Sequence, residues 1–146
     1  MPCAFEFDPE NKLLRARLEG QITTEAALEA YQAAGIHVLR TRPRASIWDM
    51  SAVTSLELST DAVARLARSS PADPEPDRAR IIIAPGGHVF GVARMFQTLG
   101  QGARPFLRVV HTLEEACALL GVSTPRFQPL EGSDVPAADA SESGGA

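Results

Sequence analysis

Arg80-Ile81-Ile82-Ile83-Ala84-Pro85 is the stretch that decides the fold of this 146-residue chain. Its three consecutive isoleucines do not alternate with polar residues, which indicates a strand buried on both faces and is typical of the centre of a parallel sheet. Gly86 and Gly87 then supply a tight turn, and we predict a helix from about His88 to Gln101. The stretch therefore predicts an α/β domain in which this strand lies mid-sheet between two parallel neighbours.

Strands and helices continue on both sides of this segment. Two runs near the N-terminus alternate apolar and charged residues and predict an antiparallel hairpin, and the later strands are joined by helices, which makes them parallel. Thr112 and Glu115 have the spacing of a capping box. The predicted elements are strands at 4–8, 14–19, 45–50, 80–85 and 106–111, and helices that follow Thr23 or Thr24, Ser59, His88 and Thr112.

The predicted order is thus ββαβαβαβα, a single-layer mixed sheet of about five strands with four helices. The sequence leaves open whether the helices cover both faces of the sheet or mainly one. In the first helix, Leu28, Tyr31, Gly35 and Val38/Leu39 recur at three- and four-residue steps and predict the buried face. We expect one domain over residues 1–122 and a flexible tail over 123–146, because the latter segment is rich in Pro, Ser, Gly and acidic residues.

Composition excludes several classes of function. The formal charge is −4, of which residues 123–146 carry −3 and residues 1–122 only −1, so the basic footprint of a nucleic-acid binder is missing. No apolar run is long enough to span a bilayer, and the N-terminus lacks the features of a signal peptide. Cys3 and Cys117 are far apart and are expected to be free, reduced thiols. We therefore expect a cytoplasmic protein that is not transmembrane.

Three segments resemble the STAS/SpoIIAA-like superfamily of anti-sigma-factor-antagonist-like domains, and its uncharacterised bacterial branch in particular. They are Leu18–Thr23, Ile47–Val53 and Phe90–Phe96, with further support from Leu113–Ala116. The resemblance covers about residues 4–122 and implies the same α/β fold. It also implies a protein that binds a protein partner, since members of known role bind anti-sigma kinases, form cytoplasmic modules of transporters, or in a few cases bind nucleotides or lipids.

This chain departs from the resemblance at the phosphoserine switch, and we expect the switch to be missing. In the antagonist branch a serine that follows an acidic residue, at the start of the helix after the Asp-containing strand, is phosphorylated to break partner binding. Here Glu57 matches the acidic position, but Leu58 stands where the serine would be. Ser59 is the next residue, and we interpret it as the helix cap rather than as a switch.

Candidate ligand-binding residues follow the strands of the predicted parallel sheet. Gly86, Gly87 and His88 open a helix, where backbone N–H groups and the helix dipole favour an anion. Asp49 and His111 are expected near the carboxyl ends of neighbouring strands, where open α/β sheets place ligands. A tight turn, a strand end and a carboxylate bonded to its own backbone are the simpler interpretations. No spacing among these residues is diagnostic of a metal site or a catalytic motif, so no metal or cofactor is expected.

Phe90, Arg94 and Met95 are the predicted partner-binding surface, because an exposed aromatic ring beside an arginine is a common anchor at protein interfaces. Three hypotheses result. The favoured one is a non-catalytic protein-interaction module, with bacterial signalling as the setting that the resemblance suggests. The alternatives are a domain that binds a small lipid, nucleotide or anion at residues 85–91, and an enzyme that uses Asp49, His88 or His111. The sequence leaves open whether the chain forms a homodimer.

Overall fold

The computed structural model describes residues 3–75 and 77–130. Five strands and four helices occupy the predicted positions, and a short sixth strand follows the last helix. The elements are β1 (Cys3–Asp8), β2 (Leu13–Thr23), α1 (Thr24–Thr41), β3 (Ala45–Glu57), α2 (Thr60–Arg68), β4 (Ala79–Ile83), α3 (Gly87–Leu99), β5 (Leu107–Val110), α4 (Leu113–Leu120) and β6 (Gln128–Pro129).

The strands form one mixed sheet in the order β5-β4-β3-β2-β1-β6. β2, β3, β4 and β5 are parallel, whereas β1 is antiparallel to both β2 and β6. The isoleucine strand β4 lies between β3 and β5, with Ile82 opposite Trp48 on one side and Val109 on the other. The central parallel position predicted for this strand is confirmed, and the sheet has six strands where about five were expected.

The helices are divided unequally between the two faces of the sheet. α1, α2 and α3 cover one face, where Leu14, Val63 and Ile82 belong to the same buried cluster. α4 covers the other face, where Ala116 and Cys117 pack with Ile47, Ile81 and Ile83. Alternate residues of β4 therefore enter different cores, which explains why its isoleucines show no alternation with polar residues. No described helix has the length and apolar character needed to cross a membrane.

The buried face of α1 differs from the predicted one. The helix turns Ala30, Ala34, His37 and Val38 toward the sheet, while the side chains of Leu28 and Leu39 are 45% and 74% exposed. Spacing alone favoured the larger apolar residues, but the small alanines let the helix backbone approach the sheet. At the position predicted as Val38 or Leu39, Val38 is the buried residue and Leu39 is exposed, and the prediction that Leu28 is buried is wrong.

β3 is longer than predicted, and this moves Asp49 away from the strand end. The strand continues to Glu57 because its second half pairs with the extended end of β2, across two register shifts. Asp49 pairs with Ile83, so it lies in the first half of β3. Asp49 is therefore not at the end of β3 as predicted, but it lies level with the carboxyl end of β4, whose last residue is its partner.

Part of the segment predicted as a tail contacts the sheet. The backbone N–H of Arg126 donates to Oδ2 of Asp8 at 3.0 Å, and the two residues of β6 pair with β1. The ring of Phe127 lies 5.0 Å from the guanidinium carbon of Arg15. Residues 131–146 lie outside the described part of the chain, and the domain division at residue 122 stays a prediction.

Candidate functional site

The turn between β4 and α3 depends on two glycines. Gly86 and Gly87 have φ values of 133° and 56°, a region that glycine enters at little cost and other L-residues do not. Gly86 is the N-cap of α3 and has no side chain to bond the free N–H groups of the first turn. This turn is exposed at Gly87 and His88, so the helix start predicted as an anion site faces the surface.

His88 is held by a backbone contact. Its Nε2 lies 3.3 Å from the carbonyl oxygen of Leu56, near the end of β3. A carbonyl oxygen can only accept, so Nε2 carries the proton in this bond. This contact fixes the ring against the end of β3 and leaves Nδ1 for other partners.

Phe90 and His111 form the closest pair among the predicted site residues. Their rings are stacked, with centroids 4.3 Å apart and planes inclined by 13°. Phe90 is half-buried in the first turns of α3, while His111 is exposed directly after β5. The sequence placed His111 near the carboxyl end of its strand and Phe90 on the following helix surface, but it gave no sign of the stack.

Arg94 lies one turn after Phe90 on α3. It is exposed, and its guanidinium makes no hydrogen bond or ion pair within residues 3–75 and 77–130. Met95 is half-buried and packs against the core between the sheet and helices α1, α2 and α3, which we call the α1–α3 core. Gly91 lies on α3 one turn before Arg94 and Met95, and a Cβ at this position would meet no atom within 4 Å. We call the surface formed by Phe90, Gly91, Arg94, Met95 and His111 the α3 surface.

Asp49 belongs to a separate polar network on the sheet face that α4 covers. Its Oδ2 accepts from Nε and Nη2 of Arg15 at 3.1 and 2.5 Å, and its Oδ1 accepts from N and Oγ of Ser51 at 3.0 and 2.5 Å. Burial alone would raise the pKa of this carboxyl, but the bonds from Ser51 and Arg15 outweigh it and hold the pKa below its ordinary value. Asp49 is therefore an ionised structural anchor at neutral pH.

The structure does not join Asp49 to the two histidines. Within the described residues no hydrogen bond links its carboxylate to His88 or His111, and no group of three or more His, Cys, Asp or Glu side chains is placed to hold a metal. The arrangement offers no carboxylate to orient either imidazole as a base.

Ser59 caps α2 in the way the sequence predicted. Its Oγ accepts from the N–H of Ala62 at 3.0 Å, and its φ and ψ of −70° and 161° are those of an N-cap. Leu58 stands at the position where the antagonist branch has its phosphorylated serine, and here it packs against the α1–α3 core. The capping prediction is confirmed, and the absence of a phosphoserine switch stays a prediction.

Sequence reasoning missed a group of buried polar side chains under the loop that joins α2 to β4. Arg80 and Arg104 are 5% and 4% exposed, and Asp73 is 4% exposed. The hydroxyl of Tyr31 accepts a hydrogen bond from Arg104 and donates one to the carbonyl of Ser70. The signal available in the sequence was an arginine, Arg80, at the second position of a strand that is otherwise wholly apolar.

Comparison with solved structures shows a SpoIIAA-like fold. One match is the anti-sigma factor antagonist SpoIIAA in its unphosphorylated form, with 16% identity and a TM-score of 0.57 over 84% of this chain and 99% of that chain. Another is the Bacillus cell fate determinant SpoIIAA in the phosphorylated form, with 19% identity and a TM-score of 0.51 over 81% of this chain and 98% of that chain. No model of a known protein family matches the sequence, and no curated protein matches it.

Proposed function

We propose that this chain is a non-catalytic protein-interaction module of bacterial signalling, and that it binds its protein partner through the α3 surface. The fold likeness supports this class of function, because the two solved neighbours are structures of SpoIIAA, which one of them describes as an anti-sigma factor antagonist. The resemblance of the sequence to the same superfamily points the same way. The observation that carries the proposal is the exposed Arg94 beside the Phe90–His111 stack.

The chemistry of the α3 surface suits a protein partner. Aromatic rings and arginines are enriched among the residues that carry most of the binding energy at interfaces, where they bury large areas in well-packed pockets. The stack with His111 holds the ring of Phe90 in place before a partner arrives. Gly91 leaves the helix surface flat between Phe90 and Arg94, so another backbone can approach closely.

The proposal includes the absence of a phosphoserine switch at the start of α2. Ser59 is already engaged as the helix cap through its Oγ, and Leu58 packs against the core where an acceptor hydroxyl would be needed. Control of partner binding by phosphorylation at this turn is therefore not part of the proposed mechanism.

Affinity capture with matched variants tests the surface. The full-length chain is used as bait in lysate of its own cells, in parallel with Arg94→Glu, Gly91→Gln and the control Arg108→Glu. Arg108 is also exposed, but its partner in the sheet is Ile81, so its side chain lies on the α4 face. We expect one protein to be retained by the wild type and by Arg108→Glu, and depleted at least about tenfold by Arg94→Glu and Gly91→Gln.

The captured protein is then purified and titrated against the same variants. Direct binding that Arg94→Glu and Gly91→Gln both leave unchanged would refute the α3 surface. If no protein is retained specifically by the wild type, the proposal of an interaction module fails. Thermal unfolding of each variant confirms that a lost contact does not reflect lost folding.

A further inference from the structure

An apolar cavity of about 150 Å³ lies between the sheet and the layer formed by α1, α2 and α3. Small side chains leave this space open, since α1 contributes Ala27 and Ala34 to its wall and β2 contributes Ala16. The remaining wall is mostly aliphatic and aromatic, and it includes Leu14, Leu18, Met50, Ile82 and Phe96. Apolar cavities of this size stay free of water and accept small apolar molecules.

One end of this cavity is charged. Arg80 and Arg104 both line it, together with Tyr31 and Asp73. Nη2 of Arg80 donates to the carbonyl oxygens of Asp73 and Glu75 at 2.6 and 2.7 Å. These bonds place the guanidinium inside the α2–β4 loop, at the start of β4.

Arg104 reaches the same end from the segment before β5. Its Nη1 donates to the carbonyl oxygens of Ala67 and Ser69 at 2.9 and 3.3 Å. Its guanidinium carbon lies 5.0 Å from the centre of the Phe96 ring. Within residues 3–75 and 77–130, the Nε groups of Arg80 and Arg104 donate no hydrogen bond.

The positive charge at this end has no matching anion among the described residues. Asp73 is the buried carboxylate of the cluster, and its ion pair is with Nε of Arg78 at 3.1 Å, not with Arg80 or Arg104. Backbone carbonyl oxygens, the Tyr31 hydroxyl and the ring of Phe96 therefore take the place of an ion-pair partner for these two buried guanidinium groups. Burying a charge without a counter-ion is costly.

The electrostatics of Arg80 agree with a missing counter-ion at this end of the cavity. Burial lowers the pKa of the Arg80 guanidinium; Asp73 opposes this effect, and the neighbouring Arg104 adds to it. The guanidinium stays charged nonetheless, because arginine does not lose its proton in proteins. A bound anion would relieve the repulsion between the two groups.

We propose that this cavity binds a monocarboxylate of about six carbons with an unbranched apolar tail, the size of molecule that a cavity of this volume holds. The carboxylate lies against Arg80 and Arg104, since guanidinium groups bind carboxylates through paired N–H donors. The tail lies along Leu14, Met50 and Ile82. This site lies inside the fold and is distinct from the turn at residues 85–91, and it does not depend on the α3 surface.

A series of ligands, titrated into the full-length protein, tests the arginine end and the apolar part of the site separately. Hexanoate is titrated into the protein, and binding is followed by NMR through the side-chain Nε–Hε resonances of Arg80 and Arg104. Acetate, 1-hexanol and hexylammonium are titrated separately in the same way. We expect saturable binding of hexanoate in the millimolar range or tighter. Binding of 1-hexanol should be at least about tenfold weaker because it lacks the charge-assisted bonds, and acetate and hexylammonium should not saturate.

A cavity-filling variant tests the location. Ala27→Met adds a flexible apolar side chain at a lining position of α1, and it should remove hexanoate binding while it preserves or raises stability. Ala118→Met is the control, because Ala118 is exposed on α4 across the sheet from the cavity. Arg104→Lys should weaken hexanoate binding several-fold, because lysine keeps the charge but lacks the planar pair of donors.

Four results would overturn the proposal. Hexanoate that fails to saturate the wild-type protein removes the site. Equal affinity for 1-hexanol removes the role of the arginines. Unchanged hexanoate binding in a folded Ala27→Met moves the tail out of the cavity. Hexanoate that saturates the wild type without shifting the Nε–Hε resonances of Arg80 and Arg104 places the carboxylate elsewhere, and this result does not depend on the folding of any variant.

Discussion

Replacement of Asp49 by Asn is expected to destabilise the protein strongly, because Asp49 anchors the polar network on the α4 face. Its side chain is 4% exposed and accepts four hydrogen bonds, two from Arg15 and two from Ser51. Asparagine keeps the shape and one acceptor oxygen but removes the charge. Arg15 then keeps only Glu6, at 3.3 Å, and the ring of Phe127 as partners.

The expected loss is about 3 kcal/mol in the free energy of unfolding. Removal of one member of a buried ion pair costs about 3–5 kcal/mol, because the other charge stays buried and unpaired. The lower end applies, since the Arg15 side chain is 17% exposed and keeps Glu6. Glu6→Gln is the matched control: it removes the more exposed ion pair of Arg15, and about 0.5–1 kcal/mol is expected.

Urea unfolding at pH 7 measures both variants. The difference between wild type and Asp49→Asn should also shrink in acid, because a carboxyl with a lowered pKa in the folded state stabilises above its unfolded value of about 3.9 and loses that contribution as the pH falls through the folded value. The double variant Asp49→Asn with Arg15→Met should recover part of the loss, since it removes the unpaired charge.

An unchanged or higher stability of Asp49→Asn would refute this reasoning. Active-site residues are often held at a cost to stability, and their replacement then stabilises the fold. That outcome would mark Asp49 as a functional carboxylate and would revive the hypothesis of an enzyme.

Four further variants at three positions test the local structure through the same urea midpoints, and partner binding is measured as well for Ser59→Asp. Gly91→Ala should stabilise the protein by about 0.5–1 kcal/mol, because Gly91 lies inside α3 and an added Cβ would meet open space. A lower stability of this variant would mean that position 91 does not tolerate a side chain. Ser59→Ala should cost about 1 kcal/mol through the lost cap of α2, whereas Ser59→Asp should cost little and keep partner binding; loss of binding in a folded Ser59→Asp would indicate a phosphorylation switch. Phe127→Ala should destabilise by about 1–3 kcal/mol, since its ring packs on the α4 core and on Arg15; no change would show that the segment after α4 contributes nothing.

The features that local rules govern were predictable from the sequence. The capping box of Thr112 and Glu115 is present as predicted, and Gly121 ends α4 with a φ of 71°. These features depend on residues within a few positions of one another. The length of β3 was not predictable, because its second half is a strand only through its pairing with β2, about 34 residues earlier in the chain.

Side chains alternate between the two faces along a strand, and this makes part of the cavity wall predictable from the sequence. The complete wall is not predictable in this way. In β4, Ile81 and Ile83 face the α4 core while Ile82 faces the α1–α3 core, so Arg80 must point to the same side as Ile82. A guanidinium that enters a sheet covered on both faces requires polar partners inside the fold. Arg104 and Tyr31 come from distant elements, and only the folded chain brings them to Arg80. A charged residue near the start of an otherwise apolar central strand is therefore a sign that the core beneath it holds a polar site, and here that core also holds the cavity.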